Sequence, residues 1–332
     1  MNKKVLCLGV ESTAHTFGIS LASSEGEILS DVNSTYTPLP SEGIHPRKAA
    51  QHHSNVAPEV LRLSLQKAGI KLRDIDAIAF SIGPGLGPAL RTGATLARAL
   101  SIWLDKPIVP VHHAVAHIEI GRLTTGSKDP LVLLVSGGHT TIATYAMKRW
   151  RILGETEDIT LGNLLDVFAR KAKLDFPGGP AVEDLARKGR NFIGLPYVVK
   201  GNDVSYSGLL TAAIKKLKDG ERIEDLCYSL QEVAFAMLTE ATERALAYIE
   251  KEEILLTGGV AANERLQSMI QEVAQEHDTK LFIVPKRFSG DCGAQIAWTG
   301  VLAHQHGVQV DVGKSFVKPK WRLDQVDIPW RE

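Results

Sequence analysis

Two histidines four residues apart, His113 and His117 in VHHAVAHIEIG, carry the first pattern in this chain that could do chemistry. In a helix that spacing puts both imidazoles on one face, which is how a helix offers two ligands to a single metal ion. A helical metalloprotease of the H-E-x-x-H kind has a glutamate directly after the first histidine as general base. Here Ala114 stands in that place, so a peptidase lacks its base. His112 is five residues from His117, a poor angle for sharing the ion. A firm site needs a third ligand, and Asp291 in RFSGDCGAQIAW is the candidate. It sits just before an apolar helix, where its carboxylate could either bind metal or cap the helix. Two imidazoles and one carboxylate with open positions suit iron or zinc.

Glycine turns are the second pattern. SIGPGLGPALRTG follows a strand and opens a helix, but it fails the dinucleotide fingerprint because Pro88 stands where the last glycine belongs, and no G-x-x-x-x-G-K occurs. What remains is a set of separate turns: Ser136-Gly137-Gly138, Pro177-Gly178-Gly179-Pro180 and Thr257-Gly258-Gly259. Each is an ordinary turn sequence taken alone. Together, at strand and helix ends, they can let backbone amides approach phosphate closely.

The elements that must position these residues form a duplicated plan. From Lys4 to Ser34 an apolar run, a polar loop, an alternating strand, a tight turn and a third strand follow one another; the same order recurs from Pro130. After each three-strand meander come helices alternating with apolar strands: IDAIAFSIG, PIVPV, EILLTGG and KLFIVP are the strands. Helices are expected over 89–103, around the His113 pair, over 163–173, 206–218, 224–251, 263–276 and 294–305, and in the region of Pro58, which should kink it. Meanders followed by alternating helices and strands predict an α/β fold of two domains with mixed sheets, 1–126 and 127–332, clasping a nucleotide between them. The second domain should carry most nucleotide contacts, with its last helix packing back on the first.

Composition narrows the partners. With 332 residues the chain can hold two cores. Lys plus Arg equals Asp plus Glu at 38 each, so no global field advertises nucleic acid. PRKAAQHH and AIKKLK are basic segments that could touch phosphates locally. Three scattered cysteines argue for a reducing cytosol, and the six-residue apolar run before Glu11 is too short for a leader or membrane span. A cytoplasmic protein without membrane contact is expected.

GVESTAH, GPGLGPALRTG, HHAVAHIEIG, LVSGGHT, the PGGP turn, TGGVAAN and FSGDCGAQIAW stand in the order found in one family. Along nearly its whole length the chain resembles the tRNA N6-adenosine threonylcarbamoyltransferases, the catalytic subunits of the KEOPS complex in archaea and eukaryotes. The ending KPKWRLDQVDIPWRE looks like that archaeal and eukaryotic branch. The resemblance implies the actin, heat-shock-70 and sugar-kinase fold. It implies transfer of threonylcarbamoyl from threonylcarbamoyl-adenylate, made by a separate synthase, to the N6 amine of the adenosine beside the anticodon in tRNAs reading codons that begin with A. It implies one divalent metal, iron first and zinc as alternative, held by His113, His117 and Asp291. Leu134, Val135, Ser136, Gly137 and Gly138 then match the loop over the donor; Asp166, Gly179, Glu183 and Asn263 match the nucleotide contacts, with Gly258 and Gly259 beside them. Some archaeal members place a tyrosine metal ligand where this chain has Leu134. Glu11 is the expected acceptor of the amine proton and His139 a second candidate. The family's partners are tRNA, a kinase-like ATPase and a small dimerising subunit. The rivals are a small-molecule kinase and a non-enzymatic ATP-driven clamp on the same fold.

Overall fold

The computed structural model describes residues 4–39 and 42–331. Met1 to Lys3, part of the stretch read for a leader, lie outside that set. The first half runs β1 (Leu6–Glu11), β2 (Thr16–Ser23), β3 (Ile28–Thr35), α1 (Pro46–Ala68), β4 (Ala77–Gly83), α2 (Gly87–Leu104), β5 (Ile108–His112) and α3 (His113–Thr125). The second half opens on its own meander, β6 (Leu131–Val135), β7 (Thr140–Ala146) and β8 (Arg149–Glu155). Helices α4 (Leu161–Lys171) and α5 (Gly178–Ala186), a short hairpin of β9 (Val199–Lys200) and β10 (Asp203–Val204), and helices α6 (Ser207–Lys218) and α7 (Ile223–Ile249) follow. It closes with β11 (Glu253–Thr257), α8 (Glu264–Glu276), β12 (Lys280–Ile283), α9 (Lys286–Ser289) and α10 (Gly293–Gln305).

The two large sheets have one topology. Their orders are β3-β2-β1-β4-β5 and β8-β7-β6-β11-β12, antiparallel within each meander and parallel beyond it. Both carry a bulge between the second and third meander strands, at Leu21/Ala22 and at Ile142/Ala143. The duplicated, mixed α/β architecture expected from the repeats is therefore present.

Strand alternation decides what covers each face. In β1 and β4 the residues Leu8, Val10, Ile78 and Phe80 point to a core shared with Ala57, Val60, Ala94, Ala97 and Leu100 of α1 and α2. The intervening Cys7, Ala77 and Ala79 are small and face Ile296, Ala297 and Val301 of α10. Gly9 on that face has no room for a side chain, which would fall inside the backbone of Ala297, and one at Gly300 would strike Ala79 and Cys7. So α10, from the second half, lies on the first sheet. Conversely α3, from the first half, packs on the second sheet, where a side chain at Gly121 would meet Val284 and Leu255. The two helices pack on each other between the sheets. Helices α4 to α8 cover the outer face of the second sheet around Leu131, Leu133, Phe168, Phe235 and Leu256.

The helix around Pro58 runs unbroken from Pro46 to Ala68 and ends at Gly69 in the left-handed region. The hairpin of β9 and β10 was not anticipated; strands of two residues leave no alternating pattern to read. Among the described residues no helix is long and apolar enough to cross a membrane. Cys7, Cys227 and Cys292 are unpaired and buried.

Candidate active site

The exchange of α3 and α10 between the halves brings their amino-terminal ends together. His112 begins α3 by capping it: its Nδ1 accepts from Val115 N at 3.4 Å, and its Nε2 faces Trp321 O at 3.1 Å. Burial pushes its pKa down to about 3, so this ring stays neutral and structural. His113 and His117 follow on one helical face, their Nε2 atoms 3.2 Å apart. Asp291 Oδ1 lies 3.3 Å from both. The capping alternative for Asp291 does not hold: α10 starts after Cys292 with no side-chain cap, and the carboxylate turns to the histidines instead.

Glu11, at the end of β1, stands behind His113. Its Oε2 is 3.0 Å from His113 Nδ1, and its Oε1 accepts from Thr13 N at 2.5 Å. Glu11 is the residue expected from the resemblance to accept the amine proton. The residue is wholly buried and both its oxygens are engaged. Its geometry is that of a carboxylate that fixes the tautomer of a ligating histidine, so that Nε2 faces the centre bare.

A divalent ion fits this donor set. Three donors at 3.2–3.3 Å from one another have the separation of ligands that each sit about 2.0–2.2 Å from one ion. Without an ion, a single proton can bridge only one of the three pairs. Burial opposes charge on His113, but the carboxylates of Glu11 and Asp291 outweigh it and raise its pKa to about 10. Burial likewise opposes the charged form of Asp291, and His113 and His117 hold it well below the usual carboxylate range. The cluster is thus built around positive charge. Among the described residues it is the one group of histidine, cysteine and carboxylate side chains whose ligand atoms converge in this way.

The glycine turns line the neighbouring strand ends. Thr257 at the end of β11 donates its hydroxyl to His117 O at 3.2 Å, tying the second sheet to the ligand helix. Gly258 (φ 97°) follows, packed on Val135 O of β6. Ser136 opens the loop after β6: its Oγ accepts from Gly138 N and His139 N at 3.2 and 3.0 Å. A side chain at Gly162 would strike Ser136 O and Gly137 N, so the first turn of α4 lies directly under this loop. Thr160 caps α4 and donates to Gly137 O at 2.7 Å. Gly137, Gly138 and Gly259 have open space where a side chain would stand.

Leu134 and Val135 are not loop residues. Both are buried in β6, Leu134 packed with Val115, Ile118 and Phe288 in an apolar cluster, so the loop begins at Ser136. His139 lies beside the ligands, its ring 6.0 Å from that of His113. Its Nδ1 has no hydrogen-bond partner. Burial, then the neighbouring His113, hold its pKa down to about 3, leaving it neutral. Asp166 on α4 accepts from Gly178 N at 2.8 Å; burial raises its pKa. The PGGP turn, expected to precede a helix, itself forms the first turn of α5, with Gly178 buried and Gly179 more open. Glu183 accepts from Glu264 N at 3.0 Å, joining α5 to α8. Asn263 is mostly committed: its Oδ1 caps α8 through Arg265 N and Leu266 N, and its Nδ2 donates to Gln231.

The support given by Glu11, Thr160, Thr257 and Gly162 was not read as such from the sequence. Only Gly162 leaves a signal, a glycine inside a helix where no turn requires it. Of the basic segments, PRKAAQHH is largely consumed. Lys48 pairs with Glu42, His52 meets Ser34, and buried His53 faces Ala14 O.

Comparison with known proteins places this arrangement. Residues 27–298 match the family model described as TsaD, tRNA N6-adenosine threonylcarbamoyltransferase. A protein of that description from Caldivirga maquilingensis is 52% identical over 98% of both chains. A probable bifunctional tRNA threonylcarbamoyladenosine biosynthesis protein from Methanocaldococcus jannaschii is 49% identical over 98% of this chain, which covers 60% of that protein. Among solved structures, T. kodakarensis HypF has a TM-score of 0.64 at 15% identity, covering 91% of this chain and 48% of that one, a likeness of fold alone. The chain belongs to the tRNA N6-adenosine threonylcarbamoyltransferase family, on its archaeal branch.

Proposed function

We propose that this protein transfers a threonylcarbamoyl group from threonylcarbamoyl-adenylate to the N6 amine of the adenosine 3′ to the anticodon, in tRNAs reading codons that begin with A. The amine nitrogen bonds to the carbamoyl carbon, the carbon–oxygen bond to phosphate breaks, AMP leaves and the amine loses a proton. The observation that carries this reading is the juxtaposition of the His113, His117 and Asp291 cluster with the open Ser136–Gly138 loop, in a chain whose relatives bear that activity in their names.

The donor is a mixed anhydride and already activated, so the protein's work is to hold donor and amine in line and to stabilise charge on the departing phosphate. His113, His117 and Asp291 would hold one divalent ion, iron first and zinc as alternative. When bound it supplies Lewis acidity toward phosphate oxygens. No glutamate after His113 is needed, because water is not the nucleophile. The backbone of Ser136–Gly138 and the amino-terminal turn of α4 offer amides to phosphate. Asp166 and Glu183 accept from ribose or adenine hydroxyl and amino groups, with Gly179, Gly258 and Gly259 giving the nucleotide close access and Asn263 holding the start of α8. Glu11 and His139 are the candidate proton acceptors, His139 neutral and without a hydrogen-bond partner at Nδ1. A kinase-like ATPase and a small dimerising subunit act with the chain; the greater length of the M. jannaschii relative, named as bifunctional, supports a second unit working beside this one. A sugar kinase on this fold would give the histidine cluster no task.

The test combines the full chain and its partner subunits with ATP, bicarbonate, threonine, the donor-making synthase and unmodified tRNA, followed by nucleoside analysis. Threonylcarbamoyladenosine is the expected product. Unmodified adenosine alone, with donor verified in the mixture, contradicts the reading.

A further inference from the structure

The carboxy-terminal stretch KSFVKPKWR, 314–322, has four cations and no carboxylate, in a chain whose total charge is zero. Arg322 is neutralised by Glu155 at 3.0 Å and Asp324 at 3.4 Å. Lys318 and Lys320 are exposed and have no carboxylate partner among the described residues; neither has Arg91. Arg91 and the segment that carries the two lysines meet at one glycine. A side chain at Gly87 would stand 3.5 Å from Arg91 Nη1 and 3.7 Å from Pro319 Cγ, so Arg91 and the Lys318–Lys320 segment flank one glycine.

The segment is fixed to the residues that build the active site. Lys318 N donates to Ile82 O at 2.7 Å, Gly85 N to Pro319 O at 3.1 Å, and His112 Nε2 meets Trp321 O at 3.1 Å. Ile82 and Gly85 bracket the end of β4, Leu86 N continues the tie to Thr13 O beside Glu11, and His112 directly precedes the ligand His113. Arg98 binds both Oγ and the carbonyl of Ser315, pinning the stretch further upstream. Trp321 carries Lys318 Nζ 4.4 Å over its ring, which holds that ammonium in place. A shallow hollow of about 500 Å³ opens between Lys318, Pro319, Lys320, Trp321 and Gln325.

Cations spaced along one anchored segment and the adjoining helix, with no carboxylate partner among the described residues, match a chain of phosphates better than one small anion, which needs donors converging on a point. We infer that Arg91, Lys318 and Lys320 form the surface that seats the RNA sugar-phosphate backbone beside the metal centre. The inference rests on the tRNA-modifying reading above and specifies where its substrate lies. Contacts of this kind position the RNA and carry no sequence information.

Binding of fluorescently labelled unmodified tRNA to the full chain, titrated across salt concentrations, tests this apart from catalysis. Lys318→Ala/Lys320→Ala should raise the dissociation constant roughly 10-fold near 0.15 M salt and make the log–log salt slope shallower by about 2. Arg91→Ala should remove about one further unit of slope. Lys215→Ala/Lys218→Ala on α6, the other basic segment, should leave both quantities at the wild-type values. Unchanged affinity and slope in the Lys318/Lys320 variant overturn the inference, as does a loss confined to the α6 variant. Weakened binding in the Lys318/Lys320 variant while the wild-type protein makes no threonylcarbamoyladenosine would leave the RNA surface standing and bring down the transferase reading.

Discussion

At the scale of single residues, the account turns on which groups face the substrate and which face away. His113 uses Nε2 for the centre and Nδ1 for Glu11, and the second contact is what aims the first. Glu11→Gln removes the charge while keeping an oxygen that can accept. It should weaken metal affinity about 10- to 100-fold, measured by competition with a chelator, with little change in thermal midpoint. Unaltered affinity would return Glu11 to the role of a buried structural acid. The spacing of His113 and His117 was legible because a helix maps sequence separation directly onto direction. Asp291 and Glu11 were visible only as carboxylates in small-residue loops. Their roles depend on partners 174 and 102 residues away, and no local pattern encodes such a distance. Leu134 and Val135 were misplaced for a related reason: a strand and the loop it enters share one continuous motif, and only the ladder shows that pairing extends to Val135.

At the scale of elements, two features hold the site's scaffold. The first is the close seat of α10 on β1. Gly9→Ala forces a methyl into the backbone of Ala297, and overpacking of this kind costs about 1–3 kcal/mol. Urea denaturation should show that loss, accompanied by weaker metal binding because Asp291 lies immediately before the cap of the same helix. The second is the start of α6. Asp158 accepts from Ile159 N, Tyr206 N, Ser207 N and the hydroxyls of Ser205 and Ser207, binding the loop before α4 to the start of α6. Partial burial opposes its charge, but these donors outweigh it and hold its pKa well below the usual carboxylate range. A carboxylate depressed on folding stabilises above its unfolded pKa and loses that contribution as acid protonates it. The melting-temperature gap between wild type and Asp158→Ala should therefore be full above about pH 4 and close as pH falls further. A gap that widens in acid contradicts the assignment. The long helices and alternating strands were readable because their periods persist for several turns or pairs; the hairpin of β9 and β10 and the short α9 are too brief to show one.

At the scale of the whole molecule, duplication explains the position of the site. Each half builds the same five-stranded sheet, and each sends one helix to pack on the other half's sheet. Where those helices start, His113 and His117 from one half meet Asp291 from the other, beside the carboxyl ends of the parallel strands, where open α/β sheets bind ligands. The repeat was legible from the two meanders, and the return of the last helix to the first domain was expected; the packing of α3 on the second sheet was not, because a helix with a small-residue face can pack on either sheet, and only the close approach at Gly121 decides it. The central claim is that this crossing holds one divalent ion on which transfer depends. The most direct test is the rate of threonylcarbamoyladenosine formation as metal is returned to stripped protein, supplied with its partners, donor and tRNA, in wild type and in His113→Ala and Asp291→Ala. The account predicts that the wild-type rate rises to a plateau at one equivalent of metal per chain, while both variants stay about 100-fold or more below it. A full wild-type rate before any metal is added, or variants that turn over like wild type, would contradict it.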